Sequence, residues 1–136
     1  MKNTNKLYIC DTNIIIRYLV NDDSELGKYA ADIFDEIKDG TKKILLLEAV
    51  IAECVFVLKA YKLPKIDIVD SLITILSYKG VIGNDKEHLI ESLKIFKDNN
   101  LHIVDCMILA KAKFMQAEIL TFDGKLERLS LSSSLT

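Results

Sequence analysis

Four acidic residues stand where apolar neighbours make an acid expensive. Asp11 follows the run Leu7-Tyr8-Ile9-Cys10, Glu53 sits inside AVIAECVFVL, Asp105 inside HIVDCMILA, and Asp123 ends EILTFD. Other acids, such as Asp32, Asp35, Glu36, Asp39, Glu87, Glu91 and Asp98, lie in polar stretches and need only solvent. Burying an ionised carboxylate without a partner costs several kcal/mol or drives its pKa upward. If the four converge they also repel one another. Two carboxylates about 4 Å apart cost on the order of 4 kcal/mol at an effective dielectric of about 20. A multivalent cation makes such a cluster tolerable, and hard oxygen ligands suit magnesium or manganese better than zinc. Each acid also has a plainer reading on its own. Asp11 and Asp105 can cap helices, Glu53 can pair with Lys59, Lys111 or Lys113, and Asp123 can serve a turn before Gly124.

The elements that would carry these acids are legible from periodicity and caps. Residues 7–10 read as a strand, and Ile14, Ile15, Ile16, Leu19 and Val20 as the apolar side of a following helix. Asp22-Asp23-Ser24-Glu25 has capping-box spacing, Ala30, Ala31, Ile33, Phe34 and Ile37 recur at helical intervals, and Gly40 closes that helix. A short strand is expected over 44–47, then a helix over 48–61 that is apolar nearly all round and therefore buried. Pro64 opens a helix over 65–78, Gly80 follows it, and 81–82 form a brief strand. Asn84 with Glu87 opens a helix to 98, a further helix covers 104–115, and 118–121 read as a strand. After Asp123 come one short helix and the tail LSLSSSLT, an edge strand or disorder. Strands alternating with helices favour an α/β fold with a parallel sheet. Asp11 and Asp123 would then lie just past the C-terminal ends of strands, the edge where such sheets bind ligands. Asp105 would begin a helix, where an anion gains from the dipole.

The 136 residues carry a net charge of -2, with 50% hydrophobic and 28% charged side chains, and read as one domain over 1–136. No stretch reaches the roughly 18 apolar residues of a membrane span, and the N-terminus lacks a secretory apolar core, so a cytoplasmic protein is expected. The charge balance does not advertise a nucleic-acid binder; such a partner needs a local basic patch. Cys10, Cys54 and Cys106 have no CxxC spacing. They read as buried, reduced thiols, although each adjoins one of the singled-out acids and a mixed thiolate–carboxylate site has to be weighed.

The ordered set strand–DTN, an apolar helix with Glu53, VDCMILAKA and ILTFDGKL resembles the PIN-domain ribonucleases, especially VapC-type toxins of toxin–antitoxin pairs. That resemblance covers essentially the whole chain. It implies a three-layer α/β/α sandwich around a central parallel sheet. It also implies a metal-binding and catalytic quartet of Asp11, Glu53, Asp105 and Asp123. Thr12, Asn13 and Thr121 match small polar residues that hold the acids and their loop. The implied chemistry is hydrolysis of RNA phosphodiester bonds with Mg2+ or Mn2+, water attacking phosphorus without a covalent intermediate. A small antitoxin protein that blocks the pocket and a homodimer are the implied partners, with interfaces around 14–20 and 29–34. Arg17, Lys125 and Arg128 are candidates for RNA phosphates. Several relatives carry a further acid where this chain has His102, which reads as structural or solvent-facing; His88 sits in a polar helix and is given no role. Two other classes fit less well. A non-catalytic PIN-like module would use the acids to hold a basic partner. A phosphoacceptor receiver domain would need adjacent acids after its first strand, where DTN supplies one.

Overall fold

The computed structural model describes residues 6–21 and 24–131. The chain is organised as two compact units, residues 1–86 and 87–136.

In the first unit the chain runs β1 (Leu7–Ile9), α1 (Thr12–Val20), α2 (Glu25–Asp39), β2 (Lys43–Leu45), α3 (Glu48–Ala60) and α4 (Lys65–Leu76). β1 and β2 are parallel, with Tyr8 opposite Ile44, and Ile44 also bridges to Val81 in parallel. β2 is therefore the middle of the ladder. Cys10 N–H donates to the Leu45 carbonyl at 3.3 Å and extends the pairing toward Asp11. Among the described residues β1 pairs with β2 alone, and all three of its residues are exposed. Two ammonium groups lie over the Tyr8 ring, Lys42 Nζ 4.2 Å and Lys6 Nζ 5.2 Å from its centroid.

Helix ends follow local chemistry. The Ser24 hydroxyl accepts from Gly27 N–H at 3.1 Å and caps α2, so the cap falls on serine; Asp22 and Asp23 of the expected box lie outside the described residues. Gly40, at φ 89°, ends α2 in the left-handed region that glycine enters without steric cost. Gly80 is needed for a different reason. A methyl group there would collide with the Lys42 carbonyl and stand 2.6 Å from the Ile37 carbonyl oxygen. Its bare Cα lets the turn close, with Gly80 N–H donating to Ile37 at 2.7 Å and Ile44 N–H donating to the Gly80 carbonyl at 2.8 Å.

The core of this unit is made where α1 packs on α2 and α3, and α3 on α4. Ile15, Phe34, Ile37, Ile51, Leu58 and Leu72 are wholly buried, each worth roughly 1.5–3 kcal/mol in burial. Tyr18 stacks on Phe34 at 4.2 Å, and the Tyr18 and Tyr78 hydroxyls bond at 2.6 Å. α3 departs from the expected all-round burial. Ile51, Cys54, Val55 and Leu58 face inward, while Glu53 and Phe56 are exposed.

The second unit holds α5 (Lys86–Asp98, beginning at the boundary), α6 (Ile103–Met115) and α7 (Gly124–Ser130). α6 packs on α7, and Lys113 pairs with Glu91 of α5 at 3.3 Å. His88, expected on a polar helix, is buried in α5. The expected strand over 118–121 does not form; this stretch is irregular, and Leu120 is fully exposed. No strand is described in this unit to pair with it, and an unpaired strand has no ladder for its backbone groups. Residues 132–136 of the serine-rich tail lie outside the described residues.

The α/β class with a parallel sheet is thus what the chain has. Among the described residues no helix is long and apolar enough to cross a membrane.

Candidate functional site

Asp11 stands two residues beyond β1, at the C-terminal edge of the parallel pair, and is the N-cap of α1. Its backbone takes the extended conformation of a cap (φ -85°, ψ 153°), yet its carboxylate makes no capping bond. The chain places a charged oxygen pair there and does not commit it to the helix. Thr12 beside it is buried and Asn13 is exposed. On α3, Glu53 is likewise exposed. Among the described residues neither carboxylate has a hydrogen bond or ion pair. Lys113, one of the lysines that could have held Glu53, is paired with Glu91 instead.

The two acids share a neighbour. Burial pushes the Cys54 thiol up to about 12, and the nearby Cys10, Glu53 and Asp11 add to the shift. Burial and Asp11 push Cys10 up to about 11. The charges of Asp11, past the end of β1, and of Glu53, on α3, both act on the same buried thiol. With no metal bound, both thiols hold their protons at neutral pH. All three cysteines are free and buried, as expected of core residues.

In the second unit Asp105 lies in the first turn of α6, half-buried. His102 is the N-cap of that helix, makes no side-chain capping bond and is exposed. Asp123 caps α7, its Oδ1 accepting from Lys125 N–H at 2.9 Å and Leu126 N–H at 3.2 Å. The plain reading of Asp123 as a local turn residue is therefore true of one of its oxygens. Thr121 Oγ1 accepts from Asp123 N–H at 2.9 Å, so this hydroxyl does fix the backbone of the acid. Of the candidate cations, Lys125 Nζ donates to the Asn100 carbonyl at 2.9 Å, and Arg17 lies exposed in the last turn of α1. Arg128 is exposed, with its guanidinium against Gly124.

One premise of the sequence reading is overturned. Asp11, Glu53 and Asp123 are exposed and Asp105 is half-buried, so no deep desolvation cost marks the quartet. Each unit carries two of the four acids. Among the described residues no three His, Cys, Asp or Glu side chains are grouped closely enough to hold a metal ion. By donor type the four carboxylates fit a hard divalent cation. A groove of about 490 Å³ lined by Tyr18, Leu19, Asn21, Asp70, Ser71, Thr74, Ile75 and Tyr78 had no sequence signal, since two helices and a turn supply its walls.

A model of the family described as PIN domain matches residues 8–131, a span that includes all four acids. The chain belongs to the PIN domain family. This PIN chain is also similar to a protein named VapC ribonuclease from Aquifex aeolicus (strain VF5), 24% identical over 127 residues that cover 92% of this chain and 93% of that protein. No solved structure gives a significant match. The likeness to PIN and VapC-type proteins read from DTN, Glu53, VDCMILAKA and ILTFDGKL is thereby met.

Proposed function

We propose that this PIN chain is an endoribonuclease that hydrolyses RNA phosphodiester bonds with a bound divalent cation, Mg2+ or Mn2+. Asp11, Glu53, Asp105 and Asp123 would hold the cation. When bound it would activate water and offset charge building on the phosphate oxygens. The observation that carries this reading is Asp11. It is an exposed carboxylate at the C-terminal edge of the parallel strands, without a capping bond, sharing Cys54 as neighbour with Glu53. The family match across all four acids and the relative named VapC ribonuclease support it.

The chain's own residues would position the charges. The Thr121 hydroxyl holds the Asp123 backbone, and the α7 amides hold one Asp123 oxygen, leaving the other to face a ligand. Thr12, buried beside Asp11, would steady the start of α1, with Asn13 next to it at the surface. We further propose a toxin of a toxin–antitoxin pair, acting as a homodimer in the cytoplasm and silenced by a small antitoxin protein that covers the acids.

The test compares the purified protein with Asp11→Asn on a mixed RNA pool, with magnesium and with chelator. Cleavage only by the unaltered protein with magnesium is expected. Cleavage that survives the substitution or the chelator sinks the assignment. If neither protein cuts and both bind a basic peptide, the chain is a binding module instead.

A further inference from the structure

The groove of about 490 Å³ in the first unit lies between the end of α1 and one face of α4, and none of the four acids lines it. Its walls are rich in acceptors. Among the described residues that line it, Asp70 carries the one formal charge, and no lysine, arginine or histidine is present. The Asp70 carboxylate is exposed and, among the described residues, makes no hydrogen bond or ion pair. Thr74 Oγ1 donates its hydrogen to the Asp70 carbonyl at 2.7 Å, which leaves only lone pairs to face a ligand. The Tyr18 and Tyr78 hydroxyls bond each other at 2.6 Å and use one of their two hydrogens in doing so. Burial first, and then that bond, push Tyr78 up to about 12, so it stays a neutral hydroxyl at physiological pH. α1 ends here with Asn21 as its cap, and the carbonyls of a helix C-terminus carry partial negative charge. Leu19 and Ile75 supply apolar surface in the same groove. Asp70 and Tyr78 are eight residues apart, about 12 Å at the helical rise.

We propose that this groove binds a linear aliphatic polyamine, with one ammonium on the Asp70 carboxylate, another on the oxygens at the tyrosine end, and methylenes on Leu19 and Ile75. The carboxylate and the helix end repel an anion. A wholly apolar ligand would strip water from the carboxylate and hydroxyls and give nothing back. An ammonium on an alkyl stem meets both surfaces, its charge on the acceptors and its stem on the apolar wall. The site is independent of the RNA reading, since it uses none of the residues placed in hydrolysis.

The test titrates spermidine into the full chain in chelator at fixed ionic strength, followed by calorimetry and by tyrosine emission. The chain has five tyrosines and no tryptophan, so two of the five report from the groove. Saturable binding that changes the emission is expected. Asp70→Asn should weaken it about ten- to hundredfold, the range of a hydrogen bond to a charged group. Ser71→Leu, which puts a larger side chain into the groove, should abolish it. Asp67→Asn removes an exposed acid of α4 outside the groove and should leave the affinity as it is. Thermal melts without ligand establish that each variant is folded, and if Ser71→Leu is not, Asp70→Asn decides. The proposal falls if spermidine does not saturate a site, if Asp70→Asn binds as before, or if Asp67→Asn weakens binding equally. A lysine-rich peptide that binds through Asp70 where spermidine does not would assign the groove to a partner polypeptide and overturn it too. Cleavage in magnesium, measured separately, tests the hydrolysis reading and leaves this one untouched.

Discussion

Asp11 and Asp123 sit at equivalent places, each the N-cap of a helix, but the structure assigns them different work, and substitution separates it. Asp123 Oδ1 satisfies two backbone N–H groups of α7, at 2.9 and 3.2 Å. Asp123→Ala strips both, a loss of about 1 kcal/mol by the usual worth of a cap. In a chain of this length that lowers the melting temperature by about 4 °C. Asp123→Asn keeps an acceptor oxygen and should melt within about 1 °C of the unaltered protein, a change of a few tenths of a kcal/mol. The Asp11 carboxylate makes no capping bond, so Asp11→Asn and Asp11→Ala should both stay within about 0.5 kcal/mol. Cleavage sorts the four variants differently. If both acids hold the cation, every one of them loses at least the ten- to hundredfold seen when even an outer partner of a metal is removed, about 1.4–2.8 kcal/mol of barrier. Thermal melts in chelator and RNA cleavage in magnesium, run on all four, read the two effects apart. Asp123→Asn cleaving at the full rate would show that Asp123 is a cap and nothing more. Asp11→Ala melting as low as Asp123→Ala would show that α1 leans on a carboxylate bond the structure does not contain.

Two further outcomes follow from the core. The Cys54 and Cys10 thiols, pushed up to about 12 and 11, stay protonated in the native protein while an unfolded chain ionises them near pH 9. Their contribution is full below pH 9 and is lost as pH rises through 11 to 12, so the urea midpoint should fall over that window, and native alkylation at pH 8 should be much slower than in urea. A midpoint that holds or rises there refutes the assignment. Gly80→Ala forces a methyl group against the Lys42 and Ile37 carbonyls and should cost about 1–3 kcal/mol in urea unfolding; an unchanged midpoint would mean the turn has slack that the structure denies it.

Much of the helical frame was readable beforehand because its signals are local. Ser24, Gly40 and Pro64 mark ends by side-chain or backbone chemistry that needs no distant partner. The order of the acid-bearing motifs carried the family likeness, which the PIN match over residues 8–131 meets. What failed depended on neighbours far along the chain. Residues 118–121 have strand composition, but a strand exists only with a partner, and composition does not provide one. α3 is apolar on every side, so its pattern could not reveal that Phe56 and Glu53 face out. The acids looked buried because their sequence neighbours are apolar, whereas exposure is decided by which way each side chain leaves its helix or turn. His88 errs the other way, a polar neighbourhood hiding an inward position.

Among the described residues, β1 leaves one row of backbone donors and acceptors without a ladder, and such a row invites a stranger's strand. The invitation is limited in two ways: the strand is three residues long, and Lys6 and Lys42 set positive charge over the Tyr8 ring at its middle. Neutralising those lysines, by acetylation for instance, would remove the guard while leaving the backbone template in place, and clumping at high protein concentration is the cost the chain would then bear.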